Sequence, residues 1–181
     1  MLKSHFENKS EFRKSCVKRL KFSARIGKIK KNSVISSKIE KVIKKYSAKN
    51  ILLYLPLEFE VDLTKLIAKL RKNDNCKVFV PFMIGESFVP VLFRLPLMSG
   101  RFKIKEPSFS YLRPKIDLAI VPVVGIDGKN RRIGFGKGMY DRYFGSLKKR
   151  PVVVFTQLTI CKTTQFLGEN HDIMADLIIT Q

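Results

Sequence analysis

The stretch Arg132-Ile-Gly-Phe-Gly-Lys-Gly-Met-Tyr-Asp141 decides how the rest of the chain is read. Gly134, Gly136 and Gly138 alternate with bulkier side chains, and Arg132 and Lys137 bring positive charge. Glycine admits positive φ and lets a ligand approach main-chain N–H groups with no Cβ in the way. Successive N–H groups in such a turn cradle an anion, and a helix starting at its end adds partial positive charge. The chemistry favoured is phosphate binding, with Lys137 and Arg132 as charge partners. The spacing is neither that of a Walker loop nor that of the dinucleotide fingerprint, so a basic glycine turn of purely structural use stays open.

Working outward, the apolar run Leu118–Val124 reads as a buried strand feeding the turn, with Asp127-Gly128 bending the chain between them. A helix should start near Met139 and run through Phe144. Ile51–Leu55, ended by Pro56, and Cys76–Val80 read as further strands, while Phe88–Arg94 carries Pro90 and belongs near an edge. Strands over 151–155 and 175–180 complete the set. A helix over 63–72 follows Glu58, Glu60 and Asp62, the last a potential cap. Leu97–Pro114, with Gly100, Glu106-Pro107 and Arg113-Pro114, reads as surface loop.

Residues 8–31 read as one basic helix with Phe12, Cys16 and Leu20 on its apolar side. Lys9 and Arg13 are i, i+4 and share a face, which is either a solvated charge patch or a binding pair. A second helix over 37–47 would start at Ser33 or Ser36 as N-cap. Strands alternating with helices imply an α/β fold: a mostly parallel sheet with helices on both faces. Ligands in such folds bind beyond the carboxyl ends of the strands, where Glu60 and the glycine turn both lie.

The length of 181 residues predicts one domain over 1–181, and 45% hydrophobic residues suffice for a core. No apolar run approaches the ~20 residues of a membrane span. The opening Met1–Glu7 shows no apolar signal core, and the reading is a cytoplasmic protein. Cys16, Cys76 and Cys161 are odd in number and scattered, which fits reduced, buried or incidental thiols; the absence of a CxxC pair argues against a thiolate zinc site.

The formal charge is +21, and residues 1–50 hold 16 basic residues against 3 acidic ones. Such a field draws nucleic acid, an anionic membrane surface or a polyanionic small molecule. Nucleic-acid binding is the rival reading. Against it, Trp is absent, no nucleic-acid motif is present, and aromatics do not interleave with the basic run as a stacking platform requires.

Taken together, these residues resemble the 5-formyltetrahydrofolate cyclo-ligases, also called 5,10-methenyltetrahydrofolate synthetases. The resemblance rests on Lys9-Ser-Glu-Phe-Arg13, on Tyr54-Leu-Pro56 through Glu60-Val61-Asp62, on Val80-Pro81 and Glu106-Pro107, and on Val121-Pro122 with Arg132–Arg142. Gln157, His171-Asp172 and Asp176 complete it. It implies a fold related to the sugar-isomerase and CoA-transferase-like group. It implies ATP-dependent closure of 5-formyltetrahydrofolate to the 5,10-methenyl form through a phosphorylated formyl group, with ADP and phosphate released. Lys9, Arg13, Arg132, Gly134, Gly136, Lys137, Gly138 and Tyr140 would bind ATP, with Lys137, Tyr140 and Arg132 nearest the chemistry. Leu55, Glu60, Phe135 and Met139 would hold the folate, and Asp141 and Asp172 would be the Mg²⁺ carboxylates. Asp141 at a helix entry also has a plain structural use. The expected partners are the small-molecule substrate and ATP, with no nucleic acid required and no membrane, and the expected state is a monomer or weak dimer. Met139 stands where the family usually has a tyrosine. It keeps apolar contact with a flat ring but cannot donate a phenolic hydrogen bond, which leaves open a relative acting on another folate or carboxylate.

Overall fold

Apolar residues along the central strands alternate between two faces, and each face recruits its own helices. The computed structural model describes residues 6–72, 75–100, 104–112 and 114–181. Its elements are α1 (Lys9–Arg25), α2 (Lys28–Lys45), β1 (Asn50–Leu52), α3 (Thr64–Leu70), β2 (Lys77–Ile84) and β3 (Ser87–Leu92). Two short strands, β4 (Met98–Ser99) and β5 (Lys105–Glu106), precede β6 (Leu118–Pro122), β7 (Gly125–Ile126) and β8 (Arg132–Ile133). The chain closes with α4 (Met139–Gly145), β9 (Val152–Thr156) and β10 (Leu177–Ile179).

Six strands form the main sheet in the order β10-β9-β6-β1-β2-β3, parallel throughout except for β3, which runs antiparallel to β2 at one edge. On one face Ile51, Leu53, Leu118, Ile120 and Val154 pack against Ile35, Ile39 and Ile43 of α2 and Leu66, Ile67 and Leu70 of α3. On the other, Leu52, Ala119, Val121, Val153 and Phe155 meet Met139, Tyr143 and Phe144 of α4. The mostly parallel α/β sheet expected from the strand pattern is present. Pro90 sits on the edge strand, directly opposite Pro81, so neither missing N–H costs a bond in the sheet interior.

Three expectations need correction. The basic helix over 8–31 is two helices, because Gly27 adopts φ +60° and the backbone turns between Arg25 and Lys28. The second helix therefore begins at Lys28 instead of 37, and Ser33 and Ser36 lie inside it, not at its cap. Asn8 caps α1, its side chain accepting from the Ser10 and Glu11 N–H groups. Cys16 and Cys161 are not separate thiols but a disulfide, brought together where α1 packs on Val124 and Ile133; Cys76 is free. A separation of 145 residues gives no signal of this in the sequence. Finally, the span read as loop carries β4 and β5, paired with each other; Arg113 and residues 101–103 of it, like residues 1–5, lie outside the described residues.

No helix among the described residues is long and apolar enough to cross a membrane. Ile39 is fully buried at the centre of the α2 face. Truncation to alanine there should cost about 2–5 kcal/mol, read as a lowered urea midpoint with an unchanged m-value.

Candidate active site

The carboxyl ends of β1, β2 and β6 open onto a cavity of about 270 Å³. Its wall takes Leu55 and Glu60 from the segment after β1, Pro81 and Met83 from β2, and Pro122 from β6. Arg132, Phe135, Lys137, Gly138, Met139 and Tyr140 enclose it from the glycine turn. Gly136 and Gly138 have φ of +93° and +61°, values that favour glycine. Gly138 stands immediately before α4, whose first residue, Met139, is buried under the cavity against Phe88 and Tyr143.

Arg132 is 5% exposed. Its Nε donates to the Pro122 carbonyl at 3.2 Å, its Nη1 lies 3.6 Å from Asp141 Oδ2, and its guanidinium carbon sits 4.8 Å over the Tyr140 ring. Gly134 makes room for this: a Cβ there would fall 2.2 Å from Arg132 Nη1. The glycine is thus explained by the arginine behind it as much as by any ligand in front. Burial raises the Tyr140 phenol above its ordinary pKa, the Glu60 charge adds to this and Arg132 offsets part of it, so the hydroxyl stays a neutral donor.

Glu60 is half-buried, its open side facing the cavity. Desolvation lifts its carboxyl to about 7, against a lowering by the Leu57 N–H, which donates to Oε2 at 2.8 Å, and by Arg132 and Lys28. The segment that carries it is pinned by Tyr54, whose buried hydroxyl donates to the Val61 carbonyl and shares a 3.1 Å bond with Thr156 Oγ1. Asp62 accepts from the N–H and hydroxyl of Thr64 at the start of α3, but Leu63 holds the N-cap position and no side chain caps the helix, so the capping use expected of Asp62 is not found. Phe59 meets Phe135 edge-on at 5.4 Å, with Lys21 of α1 above Phe59.

The first helix arrives beside the same turn. Arg13 Nε donates to the Gly134 carbonyl at 2.7 Å, and its guanidinium lies near Gly136. Lys9 Nζ pairs with Asp172 Oδ2 at 2.6 Å and with Glu169 at 3.4 Å. Asp172 also accepts from the Glu169 N–H, and the next residue, Ile173, donates its N–H to Asp141 Oδ1. Lys9, Arg13, Gly134, Gly136, Asp141 and Asp172 are therefore not part of the cavity wall; they form adjoining polar ground that shares the glycine turn with it. The exposed His171 stands near both Glu169 and Asp172.

A model of the 5-formyltetrahydrofolate cyclo-ligase family matches residues 5–181. The chain belongs to that family. A family member from Mycoplasma pneumoniae is 28% identical over 131 residues, 72% of each chain, and one from Haemophilus influenzae is 28% identical over 138 residues, 72% of this chain and 74% of that one. The solved 5,10-methenyltetrahydrofolate synthetase of Aquifex aeolicus superposes with a TM-score of 0.76 at 27% identity, covering 95% of this chain and 89% of its own. The Mycoplasma pneumoniae synthetase structure gives 0.71 at 25% identity, covering 94% and 97%.

No group of three or more His, Cys, Asp or Glu side chains among the described residues could hold a metal. Asp141 and Asp172 each have a cationic partner already, Arg132 and Lys9. This donor set still fits Mg²⁺, which takes one or two carboxylates and completes its shell with phosphate oxygens and water. Sequence reasoning missed Tyr54, Met83, Ile104 and Lys105, all in the cavity wall. Tyr54 enters the sequence reading as strand and as part of the resemblance but with no site role, and the last two lie in the span read as loop.

Glu60 supplies a pH test. Its folded pKa of about 7 lies above the ordinary 4.5, so the charged form is disfavoured by folding. As pH rises from about 4.5 through 7, the wild type should lose stability relative to Glu60→Gln and then level off above that window, measured by urea unfolding across pH.

Proposed function

We infer that the protein is a 5-formyltetrahydrofolate cyclo-ligase, closing 5-formyltetrahydrofolate to 5,10-methenyltetrahydrofolate at the expense of ATP. The observation that carries this is the convergence on one glycine turn of an apolar cavity holding a single carboxylate, Glu60, and cations from the first helix, with Arg13 bonded to Gly134. The family match over nearly the whole chain and the named relatives support it. The protein acts as one domain in the cytoplasm, and its fold groups with the sugar-isomerase and CoA-transferase-like proteins.

The flat pteridine occupies the cavity against Leu55, Phe135 and Met139, and Glu60 accepts hydrogen bonds from its N–H edge. With a pKa of about 7, Glu60 is anionic in an appreciable fraction of molecules at neutral pH. The triphosphate lies over the turn, taking main-chain N–H groups of Gly134, Gly136 and Gly138 and the charges of Lys137, Arg13 and Lys9. Asp141 and Asp172 would hold Mg²⁺, which shields phosphate charge when bound. Met139 in the wall is compatible with a flat ring and supplies no phenolic donor.

The N5-formyl group is an amide, so its carbon is a poor electrophile and its oxygen a poor leaving group. The formyl oxygen attacks the γ-phosphorus, the bond to the β–γ bridging oxygen breaks, and ADP leaves. N10 then attacks the activated formyl carbon and loses its proton. The carbon–oxygen bond breaks, phosphate departs, and the methenyl bridge is complete. Phosphoryl transfer asks for alignment and positive charge where negative charge gathers. Lys137 and Arg132 supply that charge, and Tyr140 supplies a neutral hydrogen-bond donor beside the reacting centre.

Purified protein with Mg-ATP and 5-formyltetrahydrofolate should generate the methenyl chromophore. Lys137→Ala should lower kcat by about 10³-fold with an unaltered circular dichroism spectrum, on the scale of removing one group that stabilises transition-state charge. Wild-type-like turnover by that variant would remove the proposed clamp.

A further inference from the structure

The cavity has one cation that the phosphate clamp does not use. Lys105 of β5 lines its wall, beside Ile104. The strand is held in place by its neighbour: Glu106 is buried, and its Oε1 accepts from the Met83 N–H at 3.1 Å. Gly100 of the facing stretch accommodates that carboxyl, since a Cβ there would fall 2.3 Å from Glu106 Oε2. Buried Glu106 thus anchors β5 while Lys105 is exposed at the cavity. Arg132 has Asp141, Lys9 has Asp172 and Glu169, and Arg13 has the Gly134 carbonyl; the Lys105 ammonium has no hydrogen-bond or ion-pair partner among the described residues.

At about 270 Å³ the cavity lies just below the roughly 300–1,000 Å³ usual for small-molecule pockets. It has room for a bicyclic ring but not for a whole folate, so the aminobenzoyl-glutamate part must run out over the rim. That tail ends in carboxylates. We propose that Lys105 is a specificity-determining residue that pairs with the glutamate carboxylates of the folate substrate. This rests on the folate reading above and adds to it the group that recognises the distal end.

The test compares wild type with Lys105→Met under saturating Mg-ATP, using 5-formyltetrahydrofolate and the same formylated pterin lacking its glutamate. The expected result is a KM for the full substrate raised about three- to tenfold in the variant, the range of a partly exposed charge-assisted bond, with kcat and the KM for ATP unchanged. With the truncated substrate the two proteins should have equal KM values, and Lys105→Arg should restore most of the affinity for the full one. An unchanged KM for the full substrate, an equal rise with the truncated one, or a raised KM for ATP would each overturn the assignment. Wild-type protein that closes neither substrate would overturn the folate reading itself, and the assignment with it.

Discussion

A buried guanidinium holds the site together. Charge removed from water must be paired and hydrogen-bonded, and leaving a buried charge without its partner costs several kcal/mol. Arg132 meets that demand with a carbonyl at the end of β6, a carboxylate on α4 and the face of Tyr140. Strand end, glycine turn and helix start are thereby fixed relative to one another. Gly134 is required because the guanidinium occupies the volume its side chain would fill. The inner side of the turn is filled by the protein's own cation.

The glycine turn also divides two environments. On one side is an apolar cavity with a single carboxylate, raised to about 7 by desolvation. On the other are two cations of α1 with Asp141 of α4 and Asp172, each already engaged. A flat, mostly apolar ring with a polar edge suits the first; a polyphosphate with its counter-ion suits the second. In the proposed reaction the groups that combine come from the two sides, with the turn as their shared boundary.

Much of this was legible before any coordinates. The apolar run ending at Pro122, the short strand ahead of Glu60 and the edge strand with Pro90 follow from alternation, length and proline chemistry. Leu55, Glu60, Arg132, Phe135, Lys137, Gly138, Met139 and Tyr140 do line one cavity. The break at Gly27 was hidden because lysines on both sides mimic one continuous basic helix, while the register of Ile35, Ile39 and Ile43 belongs to a different axis. The disulfide was hidden because it depends on how α1 docks, and no local pattern encodes a contact across 145 residues. Lys105 was hidden for a similar reason: a two-residue strand has no periodicity to read.

The docking of α1 bears on how the molecule is made. Phe6 and Lys9 bond to Gln165 and Asp172, Arg13 to Gly134, and Cys16 to Cys161. The helix thus finds its seat among residues synthesised long after it. Such long-range closure is slow compared with local helix formation, and α1 must wait for it as a solvated amphipathic helix. A nascent chain halted before residue 160 would hold the sheet's central strands and Gly134 yet lack Cys161, Gln165 and Asp172, so the helix would find only part of its seat until those residues emerge.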